Sequence, residues 1–205
     1  MPRDRRTADR QRVGELLDRA VAAREQLDDR PAVGVAERVE GVAGEGAERD
    51  SRNGSRNVTV GRIKSYESSA TIDAGPDAIW RVLTDAPAYP AWDSGVERVE
   101  GTIAPGETIK VYSEANPGRA FPVKVTEYRP GERMTWSGGM PLGLFKGVRT
   151  FTLAPLEGGA TRFHMREEYT GPLLPVIWRT MPDLGPSFEQ FARGLKARAE
   201  EAPPA

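Results

Sequence analysis

The chain has no cysteine and a single histidine, His164. Lack of cysteine excludes disulfides, thiolate zinc sites, iron–sulfur clusters and a thiol nucleophile. One histidine cannot supply the multi-histidine ligand sets of most catalytic zinc and non-haem iron centres. No apolar run approaches the ~20 residues that span a bilayer, and the opening MPRDRRTADR has no apolar stretch behind its basic residues. The expectations are therefore no metal, no cofactor, no stable membrane insertion and a cytoplasmic location. A formal net charge of -1 gives no overall attraction to nucleic acid or anionic membrane. A local charged patch is still compatible with it.

Aromatic residues are unevenly placed. All 4 Trp, 5 Tyr and 6 Phe lie at or beyond Tyr66, whereas residues 1–62 have neither an aromatic nor an isoleucine. That first segment instead carries 13 Lys+Arg and 12 Asp+Glu, too little apolar surface to offset the entropy of ordering it. Val13, Leu16, Leu17, Ala20, Val21 and Leu27 recur at helical spacing, which predicts an amphipathic helix over roughly residues 5–29. Residues 31–62, with GVAGEGAERDSRNGSRN, read as a linker. Residues 1–62 are thus expected to be a disordered or partly helical tail, whose one functional alternative is to hold a protein partner. Residues 63–201 form the folded domain and 202–205 a disordered end.

Beyond the tail the periodicity changes from helical to alternating. In KSYESSATID, Tyr66, Ser68, Ala70 and Ile72 alternate with Glu67, Ser69, Thr71 and Asp73, as in a half-buried strand. Gly75-Pro76 then opens a short helix with Ile79, Trp80, Val82 and Leu83 on its apolar side. Strand-like runs follow at Val96–Gly101, Glu107–Ala115, Phe121–Tyr128, Arg133–Ser137, Lys146–Leu156 and Thr161–Thr170, punctuated by APGE, ANPG, RPGE, SGGMPLG and EGG. After prolines 175, 182 and 186, a helix is expected from about Pro186 to Glu201 with Phe188, Phe191, Ala192, Leu195 and Ala199 on one face. One strand, a helical insertion, six meandering strands and a closing helix define an α+β fold. Its curved antiparallel sheet of about seven strands wraps on the C-terminal helix.

The segments AGPDAIWRVLTDAPAYPAWDSGVERVEG, EYRPGERMTWSGG, FKGVRTFTLAPLEGGATRFHMREEYTGPL and FEQFARGLKARAEE resemble the START-like SRPBCC superfamily, in particular its polyketide cyclase/dehydrase-like members. The resemblance covers residues 64–201. It implies a helix-grip fold with a deep apolar pocket between sheet and helix, in a family ranging from aromatase/cyclases to carriers of lipids and other metabolites.

Register around the EGG turn can be derived without that resemblance. A turn centred on Gly158 sets Leu153 opposite Phe163, Phe151 opposite Met165, and Arg149 opposite Glu167 on one inward face. An ion pair there is costly to desolvate, so the two charges should meet each other. Arg149 could then orient a ligand carbonyl or carboxylate while Glu167 fixes the guanidinium. The expected apolar lining is Ile109, Val111, Val123, Val125, Met134, Trp136, Phe145, Phe151 and Met165, with Phe188 and Phe191 from the helix. Trp80 and Trp92 are expected to pack the helical insertion, and His164 to face solvent on the opposite side of the sheet. SGGMPLGLFKG is expected at the pocket mouth.

Three functions compete. The favoured one is non-enzymatic binding of a small hydrophobic molecule: a polyketide-like, aromatic or lipid metabolite. The second is a cyclase/dehydrase in which Arg149 polarises a carbonyl and Glu167 moves a proton. A neighbouring guanidinium keeps a carboxylate ionised, which argues against Glu167 as an acid at neutral pH. The third is an assembly factor acting through the tail.

Overall fold

The computed structural model describes residues 56–60 and 63–201, within the second of two units of the chain, Asn53–Ala205. The amphipathic helix expected over residues 5–29, most of the linker and residues 202–205 lie outside the described residues. Eight strands form one sheet: β1 Arg56–Val60, β2 Ile63–Ile72, β3 Val96–Glu100, β4 Thr108–Ser113, β5 Ala120–Arg129, β6 Arg133–Gly139, β7 Lys146–Pro155 and β8 Thr161–Thr170. Among the described residues three α-helices accompany them: α1 Pro76–Thr84, α2 Leu174–Trp178 and α3 Gly185–Glu201. Strand order is β1-β2-β8-β7-β6-β5-β4-β3, with every neighbouring pair antiparallel.

This is the helix-grip arrangement, with two differences from expectation. The sheet has an eighth strand, because Arg56–Val60, in the stretch read as linker, pairs with Ile63–Glu67. In addition, Leu174–Trp178 is a short helix. Pro175 falls in its first turn, where the missing N–H has no helical partner to lose.

Local sequence accounts for the main elements. Pro76 opens α1, which buries Ile79, Trp80 and Leu83 before stopping at Asp85. The proline-rich segment that follows becomes a 3₁₀ turn over Ala86–Ala91, pinned where the Tyr89 hydroxyl donates to the Leu83 carbonyl at 2.8 Å. Helix α3 buries Phe188, Phe191, Ala192, Leu195 and Ala199, the face that its spacing predicts. Phe191 lies 5.8 Å from Phe151 and 6.2 Å from Phe163, ring centre to ring centre. Truncating such a buried aromatic costs about 3–5 kcal/mol.

Helix α3 is fixed at its middle and near its C-terminus. At Gly194 the helix comes so near the Asp93 carbonyl that a Cβ would collide with it, so only glycine permits this approach. Near the C-terminus, Lys196 donates to the Thr71 carbonyl at 2.7 Å and the Asp73 amide donates to Glu200 at 2.7 Å. Among the described residues, no helix is long and apolar enough to cross a membrane.

Candidate functional site

Sheet register assembles the site from residues far apart in sequence. One inward rung crosses five strands: Tyr66 on β2 opposes Glu167 on β8, which opposes Arg149 on β7, which opposes Trp136 on β6, which opposes Val125 on β5. The β7–β8 pairs Leu153–Phe163, Phe151–Met165 and Arg149–Glu167 are those derived from a turn at Gly158. On the next rung Gly147 pairs with both Gly138 and Tyr169. With no side chain of its own, Gly147 leaves room for Glu167 Oε1 and the Tyr169 ring, which lie 3.1 and 3.4 Å from where a Cβ would stand.

Arg149 and Glu167 form a close ion pair. Arg149 Nε donates to Glu167 Oε2 at 2.7 Å, and Nη2 lies 2.6 Å from the same oxygen. Their side chains are 23% and 16% exposed, so the pair is half-buried and in reach of an incoming molecule. Among the described residues Nη1 has no hydrogen-bond partner. The guanidinium carbon sits 4.9 Å from the centre of the Phe188 ring, a cation–π contact with the helix.

Aromatic rings surround this pair. Tyr66 stacks on Trp178 at 5.3 Å, Tyr169 meets Trp178 at 5.8 Å, and Phe145 stacks on Tyr169 at 5.9 Å. Burial, followed by the Glu167 carboxylate beside it, holds the Tyr169 phenol well above its ordinary value, so it stays a neutral hydroxyl. Burial pulls the Arg149 guanidinium down, but Glu167 and then Tyr169 outweigh it and leave Arg149 above its usual range. The site therefore combines a permanent cation, a carboxylate and a neutral phenol within an apolar wall.

The sequence-derived lining divides into two groups. Ile109, Val125, Met134, Phe151 and Met165 have no exposed surface, while Val111, Trp136, Phe188 and Phe191 are buried; these nine are core in this structure. Val123, Phe145, Arg149 and Glu167 are half-buried and mark the accessible end. Trp136 still carries chemical interest: its indole N–H, like that of Trp92, is buried without a hydrogen-bond partner. Each orphaned donor costs about 1–3 kcal/mol. Trp80 packs edge-on against Tyr128 at 5.1 Å and Trp92 against Phe191 at 5.2 Å.

Tyr66, Tyr169 and Trp178 were not in the sequence-derived site. Tyr169 was accessible to the same logic, being two residues beyond Glu167 on one strand face. Trp178 lies between prolines in a segment without strand or long-helix periodicity, so no pattern marked it. The connection Met140–Phe145 lies beside the site, its Leu144 carbonyl accepting the Leu173 amide at 2.9 Å. Within it, Leu142 has φ 58° and is the one non-glycine residue with positive φ among the described residues, a conformation that costs leucine about 1–2 kcal/mol.

A curled sheet gripping one long helix, with charged groups turned inward near one end, defines a START-like helix-grip architecture. The chain belongs to the polyketide cyclase/dehydrase and lipid transport family, whose model matches residues 63–200. A search of the curated proteins finds no match. Among solved structures, an aromatase/cyclase from Streptomyces sp. R1128 is similar with TM-score 0.52 and 13% identity, over 67% of this chain and 94% of that one. Norcoclaurine synthase from Thalictrum flavum gives 0.52 and 18%, over 68% and 95%. A hypothetical protein from Helicobacter pylori gives 0.54 and 11%, over 65% and 86%. At these identities the likeness is one of fold.

Proposed function

We propose that the protein binds a small hydrophobic molecule, of polyketide-like, aromatic or lipid type, at the Arg149–Glu167 end of the sheet–α3 interface. Its apolar body would lie against Phe145 and Trp178, the half-buried rings of that end, and one of its oxygens would accept from Nη1 of Arg149. The observation that carries this reading is which guanidinium nitrogens of Arg149 face Glu167. Arg149 directs Nε and Nη2 to a single oxygen of Glu167 and keeps Nη1 in hand, half-buried among aromatic rings. A purely structural ion pair gains most when both oxygens and both faces of the fork are used.

Magnitudes set the affinity scale. Burying ~200 Å² of ligand apolar area gives roughly 5 kcal/mol before association costs, and a charge-assisted hydrogen bond adds about 1.5–3 kcal/mol. That gross gain of roughly 6.5–8 kcal/mol, reduced by association costs, makes recognition no tighter than micromolar. The test uses anilinonaphthalene sulfonate, an aromatic body with one anionic group, as a fluorescent probe. Arg149→Ala is expected to weaken its binding more than it lowers thermal stability, and the opposite ranking overturns the proposal. Native mass spectrometry of protein purified from its own host supplies an independent check through any co-purifying small molecule.

One observation favours cyclase-type chemistry as a second reading: the Glu167 carboxylate sits beside the neutral Tyr169 hydroxyl. Arg149 would polarise a carbonyl while Glu167 takes a proton from the adjacent carbon. Turnover of a β-polyketone that is lost in Glu167→Gln, with probe binding retained, would separate it from simple binding.

A further inference from the structure

Among the described residues the exposed large apolar side chains are Ile63, Leu142, Leu156 and Val176. Register places three of these four at one end of the sheet. Ile63 begins β2, next to Lys64, which pairs with Tyr169 near the end of β8. Leu142 lies in the connection just after Gly139, which pairs with Lys146, and Val176 lies in α2, which follows β8. The Leu173–Leu144 hydrogen bond of 2.9 Å joins the two segments. Leu156 adjoins the β7–β8 hairpin at the opposite end. The end that carries the three is also the end where Arg149 and Glu167 are half-buried.

Leu142 is 97% exposed and stands in the left-handed region at φ 58°, where glycine or asparagine would be less strained. Its side chain adds nothing to the core. Two exposed basic residues lie next to these side chains, Lys146 at the start of β7 and Arg179 at the end of α2, against one exposed acid, Asp183. Lys64 joins them, 5.6 Å over the Trp178 ring. The nearby acid, Asp183, accepts the Gly185 amide at the start of α3.

We propose that this end docks peripherally on an anionic lipid bilayer, with Leu142 and Val176 entering the acyl boundary and Lys146 and Arg179 meeting headgroup phosphates. A protruding leucine beside cations suits an interface that is apolar in depth and anionic at its surface. A protein partner would instead favour a broad patch with aromatic anchors. The overall charge of -1 makes this local patch, rather than the whole molecule, the source of attraction. Such docking would present the mouth of the Arg149 site to the phase in which hydrophobic molecules dissolve.

Co-sedimentation of the full-length chain with vesicles tests it, using phosphatidylcholine alone and phosphatidylcholine mixed with phosphatidylglycerol. Binding is expected on the mixed vesicles and should weaken as salt rises. Leu142→Asn should cut vesicle affinity about tenfold or more while the thermal midpoint stays level or rises. Lys146→Glu with Arg179→Glu should remove the preference for anionic lipid. Equal binding by wild type and Leu142→Asn, or no sedimentation with either vesicle, overturns the proposal. Vesicle-free self-association that Leu142→Asn abolishes would also overturn it and assign this end to a second copy; capture of an acidic carrier protein without vesicle binding would assign it to that partner. Arg149→Ala should sediment like wild type, so failure of the ligand-binding reading leaves this measurement interpretable.

Discussion

Glu167 and Glu168 are neighbours on β8 and point to opposite faces of the same sheet. Each meets an arginine, with opposite consequences. On the outer face Arg166 bridges Glu168 at 2.7 Å and Glu67 at 3.1 Å, with side chains 37%, 45% and 22% exposed. Water solvates Arg166 and Glu168, so the bond between them is worth little. On the inner face Arg149 and Glu167 are enclosed by Phe145, Phe188, Tyr169 and Trp136, and charge there has few ways to be satisfied except by each other or by a ligand. One residue of register separates a solvated surface network from a candidate site, because strand side chains alternate.

The sharpest way to break this comparison is to remove one partner from each network. Glu167→Ala leaves the Arg149 cation half-buried and unpaired, with an expected loss of about 2–3 kcal/mol, whereas Glu168→Ala on the outer face should cost under ~1 kcal/mol. Urea unfolding of both variants checks the ranking, and equal losses would mean that the two faces are not energetically distinct. Replacing the inner pair together, Arg149→Met with Glu167→Leu, should recover most of the stability.

Ligand binding sharpens the contrast next. Arg149→Ala should weaken anilinonaphthalene sulfonate about tenfold or more, while Arg166→Ala should leave the titration unchanged. A smaller effect is expected for Tyr169→Phe, which removes the hydroxyl beside Glu167 but keeps the ring stacked on Phe145. The expected change in probe affinity is a few-fold, about 1 kcal/mol or less.

The smallest effect is a pH slope from the outer face. Burial, with Arg166 adding to it against the Glu67 carboxylate, lowers the pKa of His164 from 6.5. The unfolded chain therefore takes up this proton at a higher pH than the folded one. The contribution is intact above pH 6.5 and diminishes as pH falls from there through the folded value. His164→Gln should remove that part of the slope, and the single imidazole resonance should titrate with a midpoint below 6.5; a midpoint above it contradicts this assignment.

Much of the fold was legible in the sequence because alternation and turn chemistry act locally. Thr161–Thr170 is the strand its pattern described, and the Gly158 turn set the register that brings Arg149 to Glu167. What local pattern could not supply was depth. Ile109, Met134 and Phe151 face inward as their alternation requires, but whether an inward residue borders a ligand or fills the core depends on how closely α3 approaches. That approach depends on contacts such as Gly194 against the Asp93 carbonyl, between residues about a hundred positions apart. The strand Arg56–Val60 was missed for a related reason: an edge strand leans on β2, and nothing in its own short, polar sequence announces the partner.

The strand order also governs when the site can come into being. Arg149 and Glu167 lie 18 residues apart in one hairpin and can meet as soon as that hairpin closes. Tyr66 cannot join them until β2 finds β8, a pairing that joins Lys64 to Tyr169 across roughly a hundred residues, and such loop closures are slow. During synthesis β2 must therefore wait, with Tyr66, Ala70 and Ile72 unsheltered, for the last strand and helix to emerge. The aromatic wall is completed last, and a chain truncated before α3 would carry the charged pair without the enclosure that gives it meaning.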